Sequence, residues 1–359
     1  MCFMDALHVD THAADAFAER MMGNFNGAAV TLMISIGHQT GLFDTMSRMA
    51  PASSAEIAAS AGLNERYVRE WLGAMVTGSI VDYCADDDTY HLPAEHAASL
   101  TRAASPNNLA TVAQFMPLLG SVESPLIDAF RRGGGVPYSR YERFQQLMAE
   151  ESQQTVCAAL LDAILPLVPG LIERLQHGID VLDVGCGAGR AMNLLATHFP
   201  NSRFAGYDFS ADGIAMARAE AEALDLRNVR FEVRDAARID EPGGYDLITA
   251  FDAIHDQAHP AAVLAGIAQA LRGDGIFLMQ DIGGSSAVEK NVDHPMAPFL
   301  YTISCMHCMT VSLAEGGAGL GAMWGRELAE TMLAEAGFTD VSVQALPHDV
   351  QNLYFVARR

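Results

Sequence analysis

The chain has 359 residues, of which 50% are hydrophobic and 18% are charged. At about 150 residues per domain, this length allows two domains with buried cores, and the apolar content excludes a disordered chain. The formal net charge is −22, which repels phosphate backbones and anionic lipid. We therefore expect neither nucleic acid nor a membrane as a partner.

Three features favour a cytoplasmic protein. No apolar run approaches the roughly 18 residues that span a bilayer. The first 15 residues carry acids and histidines, without the basic and apolar stretches of a secretory signal. The cysteines are widely scattered, as is typical of reduced thiols. They are Cys2, Cys84, Cys157, Cys186, Cys305 and Cys308.

Residues 1–104 have the pattern of a winged-helix domain. Apolar spacing predicts a helix over 15–46, and a capping signature at 53–56 predicts the start of a short helix. A longer helix over 64–78 and two short strands around an acidic turn at 86–88 complete the pattern. The first helix carries more apolar residues than one helix face needs, so we predict a homodimer formed mainly through this domain.

The winged-helix pattern suggests DNA binding as a function, but the charges of the domain disfavour it. The second helix offers Arg66 and Arg69 as cations against Glu65 and Glu70, and the turn between the strands is a run of aspartates. A DNA-reading helix needs cations opposite the phosphates. We interpret the domain as a dimerisation module or one wall of an active site. A transcription regulator that senses a ligand remains the non-enzyme alternative.

Strand and helix patterns alternate in the C-terminal half. The pattern over residues 105–177 predicts helices that are interrupted by prolines. We expect this region to link the two domains and to contribute to the substrate pocket. Residues 178–359 predict an α/β fold, a doubly wound, Rossmann-like sheet of seven strands with an insertion over 283–324. Strands are expected at 179–184, 203–207, 229–233, 245–250, 275–280, 341–345 and 353–357. The last turn is so short that its two strands must be antiparallel, which makes the final strand antiparallel to the others.

A glycine-rich turn follows the first strand of this sheet. Gly185, Gly187 and Gly189 are spaced G-x-G-x-G after Asp183, which does not fit the G-x-G-x-x-G dinucleotide fingerprint. Ligands in such sheets bind outside the carboxyl ends of the strands. Residues that end the next three strands should face the same crevice. They are Asp208, Phe209, Asp235, Ala236 and Phe251. A dehydrogenase-like domain remains the alternative.

From Gly178 to the C-terminus the chain resembles the class I S-adenosylmethionine-dependent methyltransferases, whose terminal antiparallel strand is absent from nucleotide dehydrogenases. The resemblance implies S-adenosyl-L-methionine as the cofactor. It places the three glycines around the methionine part of the cofactor, and Asp208 and Asp235 on its ribose and adenine.

The residues after the fourth strand indicate where the methyl acceptor binds. The segment after this strand reads Asp252-Ala-Ile-His255-Asp256-Gln. Its His-Asp pair resembles that of plant-type and bacterial winged-helix O-methyltransferases, in which the histidine is the base. This resemblance implies a small-molecule acceptor, with His255 and Asp256 as catalytic residues. Imidazole titrates near neutrality, which suits removal of a proton from a phenol or an enolisable carbon.

A second resemblance concerns metal binding. Three motifs, His-Asp-Gln, His-Cys-Met-Thr-Val-Ser-Leu and His-Asp-Val-Gln-Asn, resemble those of an actinobacterial group of small-molecule methyltransferases. They also resemble metal-dependent α-keto acid C-methyltransferases, which use two histidines and a glutamine on zinc. The resemblance implies Zn²⁺ or another divalent metal on His255, His307, His348 and Gln351, with His307 also catalytic. Neutral imidazoles and an amide oxygen suit borderline metals.

Two chemistries remain open at this stage. A metal could stabilise the enolate of an α-keto acid, whose carbon would then attack the methyl group. Alternatively, His255 acts as a simple general base in O-methylation of a small hydroxylated metabolite. In either case the glycine run at 316–321 is expected to form a mobile lid.

Overall fold

The structure, a computed structural model, describes residues 9–359. Residues 1–8, including Cys2, lie outside the described part. The chain divides into two compact units, Met1–Pro117 and Leu118–Arg359. The beginning of the predicted helical linker thus belongs to the first unit and the remainder to the second.

The first unit is helical apart from one antiparallel ribbon. Its elements are α1 Thr11–Thr40, α2 Leu42–Met46, α3 Ser54–Ala61, α4 Glu65–Thr77, β1 Asp82–Cys84, β2 Thr89–His91, α5 Ala94–Leu100 and α6 Leu109–Ala113. The capping box predicted ahead of α3 is present, because Ser53 and Glu56 each accept from the other's backbone N–H. The single helix predicted over 15–46 is two helices, since Gly41 (φ 72°) ends α1 in the left-handed region.

The cations of α4 are paired with acids of the same helix. Arg66 bonds Glu70, and Arg69 Nη2 lies 2.9 Å from Glu65 Oε2. These exposed pairs add little stability, but they neutralise the charge that a phosphate backbone would need. The helix therefore gives no support to DNA binding.

The first part of α1 has little packed against it. Phe17, Met22 and Phe25 are more than half exposed, at 55%, 58% and 60%. The helix joins the core of the first unit further along, where Trp71 Nε1 donates to Met33 O at 2.8 Å. The first part of α1 therefore exposes an apolar surface.

The second unit contains a seven-stranded sheet. Its order is β5-β4-β3-β6-β7-β9-β8, and β9 runs antiparallel to both of its neighbours. The strands are β3 Asp180–Val184, β4 Arg203–Asp208, β5 Val229–Val233, β6 Tyr245–Phe251, β7 Leu271–Ile282, β8 Asp340–Gln344 and β9 Asn352–Arg358. The predicted fold class is confirmed. The strand expected at 275–280 is longer at both ends, which brings Asp281 into the sheet.

Helices cover both faces of this sheet. Those that contact its strands include α11 Arg190–His198, α12 Ala211–Ala223 and α13 Pro260–Ala270. The other helices that follow α6 are α7 Phe115–Gly120 at the unit boundary, α8 Glu123–Arg132, α9 Phe144–Ser152, α10 Leu171–His177, α14 Ala297–Ile303, α15 Met309–Ala314 and α16 Gly325–Glu335. In β3, Val181 packs into one apolar cluster, and Leu182 and Val184 into another. All three are fully buried, as expected for a parallel strand with both faces covered. The carboxyl edge of the sheet therefore rests on a rigid core.

One segment is more apolar than the sequence analysis expected. Ala297–Ala314 is long and apolar enough to cross a membrane, with mean hydropathy 1.2 over 18 residues. It is interrupted by a π-helical turn at Ser304–Cys308, and Leu300 and Val311 pack into apolar clusters of the second unit. A core helix passes the same test of length and composition, and this packing is that of a core helix.

Candidate active site

The glycine turn after β3 is built for close backbone approach. Gly185 has φ 75°, and a Cβ on it would lie 2.4 Å from Ala253 Cβ. A Cβ on Gly189 would lie 2.6 Å from Ala217 Cβ, also at positive φ. No other residue fits these two positions without moving the neighbouring segments. The turn therefore presents bare backbone to whatever binds beside it.

Two carboxylates brace this turn. Asp208 ends β4 and accepts from Gly187 N at 2.8 Å and from Ser210 N at 2.7 Å. Each Asp208 oxygen keeps a further lone pair that can accept from a ligand hydroxyl. Asp183 lies deeper, where burial raises its pKa to about 7 and Thr249 Oγ1 donates to it at 2.7 Å. Both acids line the cavity beside the glycine turn: Asp208 fixes the turn, and Asp183 also links β3 to β6 through Thr249.

Two cavities open along the carboxyl edge of the sheet. The first, of about 100 Å³, lies against the glycine turn, Phe251 and Asp252. The second, of about 300 Å³, lies against Asp235 and Ala236, and Asp235 also accepts from Ala237 N at 2.9 Å. The residues that line both cavities define what we call the junction. They are Tyr138, Gly185, Asp208, Phe209, Asp256 and Gln257.

Aromatic rings from the linker region form part of the cavity walls. Tyr138 packs edge-on against Phe209 with ring centroids 5.0 Å apart, and against Phe144 at the same distance. Sequence reasoning predicted Phe209 but missed Tyr138 and Phe144. These two lie about 40 residues or more from the glycine motif, and no local pattern marks them.

His255 is held by a buried carboxylate. Its Nδ1 lies 2.8 Å from Asp281 Oδ1, and both side chains are almost fully buried. Asp281 Oδ1 also accepts from Trp324 Nε1 at 3.0 Å and from Ile282 N at 2.8 Å. Sequence reasoning missed Asp281. The sequence did contain a clue to Asp281, because it is an acid at the end of β7. That strand pairs with β6, which leads to His255.

Neighbouring charged groups shift the pKa of the His255 ring. Burial lowers the pKa of His255, but the Asp281 carboxylate and the neighbouring Cys308 thiol raise it by more, so the net pKa lies well above its usual value. The ring is thus charged more readily than a free histidine, and Asp281 is the group that we expect to stabilise its imidazolium form.

Further acids surround His255. Asp252 has φ 55°, an uncommon conformation for a non-glycine residue, and its Oδ1 lies 3.8 Å from His255 Nδ1 without a hydrogen-bond partner. Burial raises the pKa of Asp252 to about 6 and the pKa of both Asp256 and Glu151 to about 7. The reacting end of the site is therefore acidic.

His307 occupies an aromatic cluster. Its ring stacks on Phe144 with centroids 4.1 Å apart, and Tyr138 and Tyr141 pack edge-on against it. Burial and the charge of His255 lower the pKa of His307 to about 3, so the ring is neutral. Its Nε2 is buried and has no hydrogen-bond partner.

The motif at His348 builds a turn. His348 is exposed, and its Nε2 lies 3.4 Å from the Tyr354 hydroxyl. Asp349 accepts from Gln351 N at 3.3 Å, from Asn352 Nδ2 at 2.9 Å and from Tyr354 Oη at 2.8 Å. The polar residues of this motif thus have a structural role in the hairpin between β8 and β9.

One of the predicted metal ligands, His255, lies in a compact cluster with two acids. Within residues 9–359, one group of three or more histidine, cysteine or acidic side chains has ligand atoms within 4.8 Å of one another. It consists of Asp252, His255 and Asp281. His307 and His348 lie outside this group, so His255 is the one predicted histidine ligand within it.

The glycine run at 316–321 packs against the loop that carries His255. A Cβ on Gly317 would lie 2.5 Å from Ala258 Cα, and Gly321 N donates to His255 O at 3.1 Å. In this structure these glycines permit close packing over the base.

The seven-stranded sheet, the bare glycine turn and the carboxylate that ends β4 define a class I S-adenosylmethionine-dependent methyltransferase fold. Comparison with known proteins agrees. Residues 28–102 match the family described as an Rv2258c-like winged HTH domain, and residues 175–337 match a methyltransferase domain family. The chain thus carries a methyltransferase domain with the class I S-adenosylmethionine-dependent fold, preceded by a winged-helix domain.

Solved structures share the fold over nearly the whole chain. A Nostoc punctiforme protein assigned as an O-methyltransferase superposes with TM-score 0.71 at 21% identity, covering 96% of this chain and 98% of that one. Human N-acetylserotonin methyltransferase, solved with S-adenosylmethionine, gives 0.67 at 17% identity, covering 95% and 97%. The mitomycin 7-O-methyltransferase MmcR gives 0.68 at 19% identity, covering 97% and 100%.

Curated relatives match over shorter stretches. The malonyl-[acyl-carrier protein] O-methyltransferase of Bacillus cereus is 27% identical over 178 residues, which is 49% of this chain and 60% of the relative. The trans-aconitate 2-methyltransferase of Deinococcus radiodurans is 32% identical over 114 residues, 32% of this chain and 39% of the relative. The chain thus spans less than two thirds of the length of these relatives.

Proposed function

We propose that this methyltransferase transfers the methyl group to a hydroxyl oxygen of a small molecule, with His255 as the general base. The observation that carries the proposal is the 2.8 Å bond between His255 Nδ1 and the buried Asp281 carboxylate. This pair lies next to Asp252 and Asp256, which line the first cavity. Solved proteins named as O-methyltransferases have the same fold, which supports the same reaction class.

The hydrogen bond between His255 and Asp281 determines which ring nitrogen of His255 can accept a proton. In the tautomer that donates Nδ1–H to Asp281, Nε2 carries a lone pair and can take the proton of an acceptor hydroxyl. The buried Asp281 carboxylate then stabilises the imidazolium, while Trp324 fixes the carboxylate in place. When bound, S-adenosylmethionine supplies an electrophilic methyl group. The remaining task of the chain is to align and deprotonate the acceptor.

The surrounding charge favours a neutral hydroxyl over an anionic acceptor. Asp252 and Asp256 line the first cavity, where Arg190 is the one basic side chain among the described lining residues. Arg190 is already paired with Glu220. An acceptor placed for deprotonation by His255 would lie beside Asp252 and Asp256, which disfavour a further carboxylate there.

The position of the transferred methyl group tests this proposal. Purified enzyme is incubated with cofactor carrying a ¹³C-labelled methyl group and a low-molecular-weight cell extract, and labelled products are analysed by mass spectrometry and NMR. We expect the labelled carbon to be bonded to oxygen. A label bonded to carbon would contradict the proposal.

Metal-assisted C-methylation of an α-keto acid is the second candidate. The observation that favours it is the buried, unpartnered and neutral Nε2 of His307. The predicted companions do not fit as well, because His348 is exposed and bonded to Tyr354, and His255 Nδ1 is bonded to Asp281. We therefore rank this function below general-base O-methylation.

Metal content separates the two candidates. We expect enzyme purified without chelator to contain well under one equivalent of zinc or other transition metal, and to keep its activity after chelation. The measurement is elemental analysis of the protein before and after treatment with a chelator. A stoichiometric metal whose removal abolishes activity, and whose binding is lost in His307→Ala, would replace the general-base mechanism with the metal mechanism.

We also propose a homodimer formed by the first unit. The support is the exposed apolar surface of α1, which includes Phe17 and Phe25. Burying each ring in a partner would contribute about 1.5–3 kcal/mol. We expect light scattering at micromolar concentration to give twice the monomer mass. The double variant Phe17→Glu/Phe25→Glu should weaken association by more than about 100-fold.

The matched control for the dimer is Phe130→Glu. Phe130 is 75% exposed but lies on α8 of the second unit, so this variant should remain dimeric. A monomeric wild type, or a double variant as dimeric as the control, would contradict the proposed interface.

A further inference from the structure

Asp256 carries a carboxyl group that is near the His255 ring but bonded to no side chain. It is half-buried, follows the base His255 and lines both cavities. Within the part of the chain that the structure describes, it makes no hydrogen bond or ion pair. A partly desolvated carboxylate is costly unless a bound group supplies the opposite charge.

Asp208, the other acid at the junction, is satisfied by the protein itself. Both of its oxygens accept from backbone N–H groups, those of Gly187 and Ser210. The two acids therefore differ in what they can offer a ligand. Asp208 offers acceptor atoms in a fixed position. Asp256 offers a carboxyl group that has no hydrogen-bonding partner within residues 9–359, and a bound cation would hold it in its ionised form.

The bound cofactor would supply a partner for the Asp256 carboxyl group. The glycine turn borders the first cavity and suits the methionine part, while Asp235 and Ala236 border the second and suit adenine. The sulfur joins the methionine and adenosyl parts, so a cofactor held by both cavities would place it at the junction. That sulfur is a cation before methyl transfer and a neutral thioether after it.

We propose that Asp256 is the counter-charge of the cofactor sulfonium, and that through it the site binds S-adenosylmethionine in preference to the demethylated product S-adenosylhomocysteine. Tyr138 also favours the charged cofactor, because it lines both cavities and an aromatic face attracts a cation. The neutral product gains nothing from either group. Transfer of the methyl group therefore removes the attraction and favours release of the spent cofactor.

Binding calorimetry tests this role without any acceptor. We expect Asp256→Asn to weaken S-adenosylmethionine by about 10-fold or more, the effect of losing one charged contact, and S-adenosylhomocysteine by less than about threefold. The matched control is Glu315→Gln, which removes a negative charge that lines the second cavity away from the junction. That variant should leave the ratio of the two dissociation constants unchanged.

Two further measurements keep the test decisive. Asp256→Glu retains the charge and should retain the preference for S-adenosylmethionine. In the wild type, a cofactor analogue with a protonated amine in place of the sulfonium should bind more tightly than the neutral thioether, even if Asp256→Asn fails to fold. Equal losses for both ligands in Asp256→Asn, or an analogue that binds no better than the thioether, would overturn the proposal. Neither readout depends on where the methyl group goes, so each is independent of the O-methylation proposal.

Discussion

A His255→Gln variant is expected to lose about 10²–10⁴-fold in kcat, the usual contribution of a positioned general base. Glutamine keeps a polar group of similar reach but cannot take the acceptor proton. Affinity for the cofactor should change little, because the residues assigned to the cofactor belong to the glycine turn and to the ends of β4 and β5. Steady-state kinetics with the identified acceptor, together with calorimetry for the cofactor, measure both quantities.

Gln257→Ala provides the control for the same loop. Its side chain donates to Ala253 O at 2.8 Å and has no group that titrates near neutrality. We expect this variant to change KM more than kcat. If His255→Gln kept kcat within about threefold of wild type while Gln257→Ala lost as much or more, His255 would not be the base.

The pH profile should show the charge that surrounds the base. Burial lowers the pKa of His255, and Asp281 and Cys308 raise it by more, so the ring stays protonated above its usual pKa. A protonated ring cannot accept a proton, so kcat/KM should rise with pH and level off above that raised pKa. In Asp281→Asn the raising charge is lost, so the rising limb should move to lower pH while the maximum rate falls. A limb that stays in place would contradict the role assigned to Asp281.

The sheet and the cofactor turn could be predicted because their signals are local. Strand alternation and the G-x-G-x-G spacing extend over a few residues, and the topology of parallel sheets brings every strand end to one edge. Asp208 was predicted from its place at the end of β4, where the structure shows it bracing Gly187 N. At such positions sequence order is enough to determine proximity.

The base and its partners required tertiary information. Asp281 belongs to the strand next to β6 in space but lies 26 residues from His255 along the chain. The His348 motif was interpreted as a ligand set because its side chains are ligand types. The structure shows that Asp349 of this motif closes a hairpin through Asn352 Nδ2 and the Tyr354 hydroxyl. Residue type alone does not distinguish a ligand from a turn, since both need hydrogen-bonding side chains.

Gly185→Ala is expected to destabilise the fold and to weaken cofactor binding. The residue has φ 75°, and the added Cβ would lie 2.4 Å from Ala253 Cβ, on the segment that leads to His255. Either the glycine turn or that segment must move, and both border the first cavity. We expect a loss of about 1–3 kcal/mol in the free energy of unfolding. We also expect a decrease in cofactor affinity of more than about 10-fold, measured by calorimetry.

Gly187→Ala separates the two causes of this loss. Its φ is also positive, at 50°, but the nearest atom to an added Cβ is Gln145 Oε1 at 3.5 Å, an ordinary contact. This variant should therefore carry the backbone cost alone, about 1 kcal/mol. The larger destabilisation in Gly185→Ala should come from the clash with Ala253. The double variant Gly185→Ala/Ala253→Gly removes the opposing Cβ and should recover that part of the stability, which denaturant unfolding measures. If the double variant recovered nothing, the tight packing of the glycine turn against the loop after β6 would not be what requires glycine at position 185.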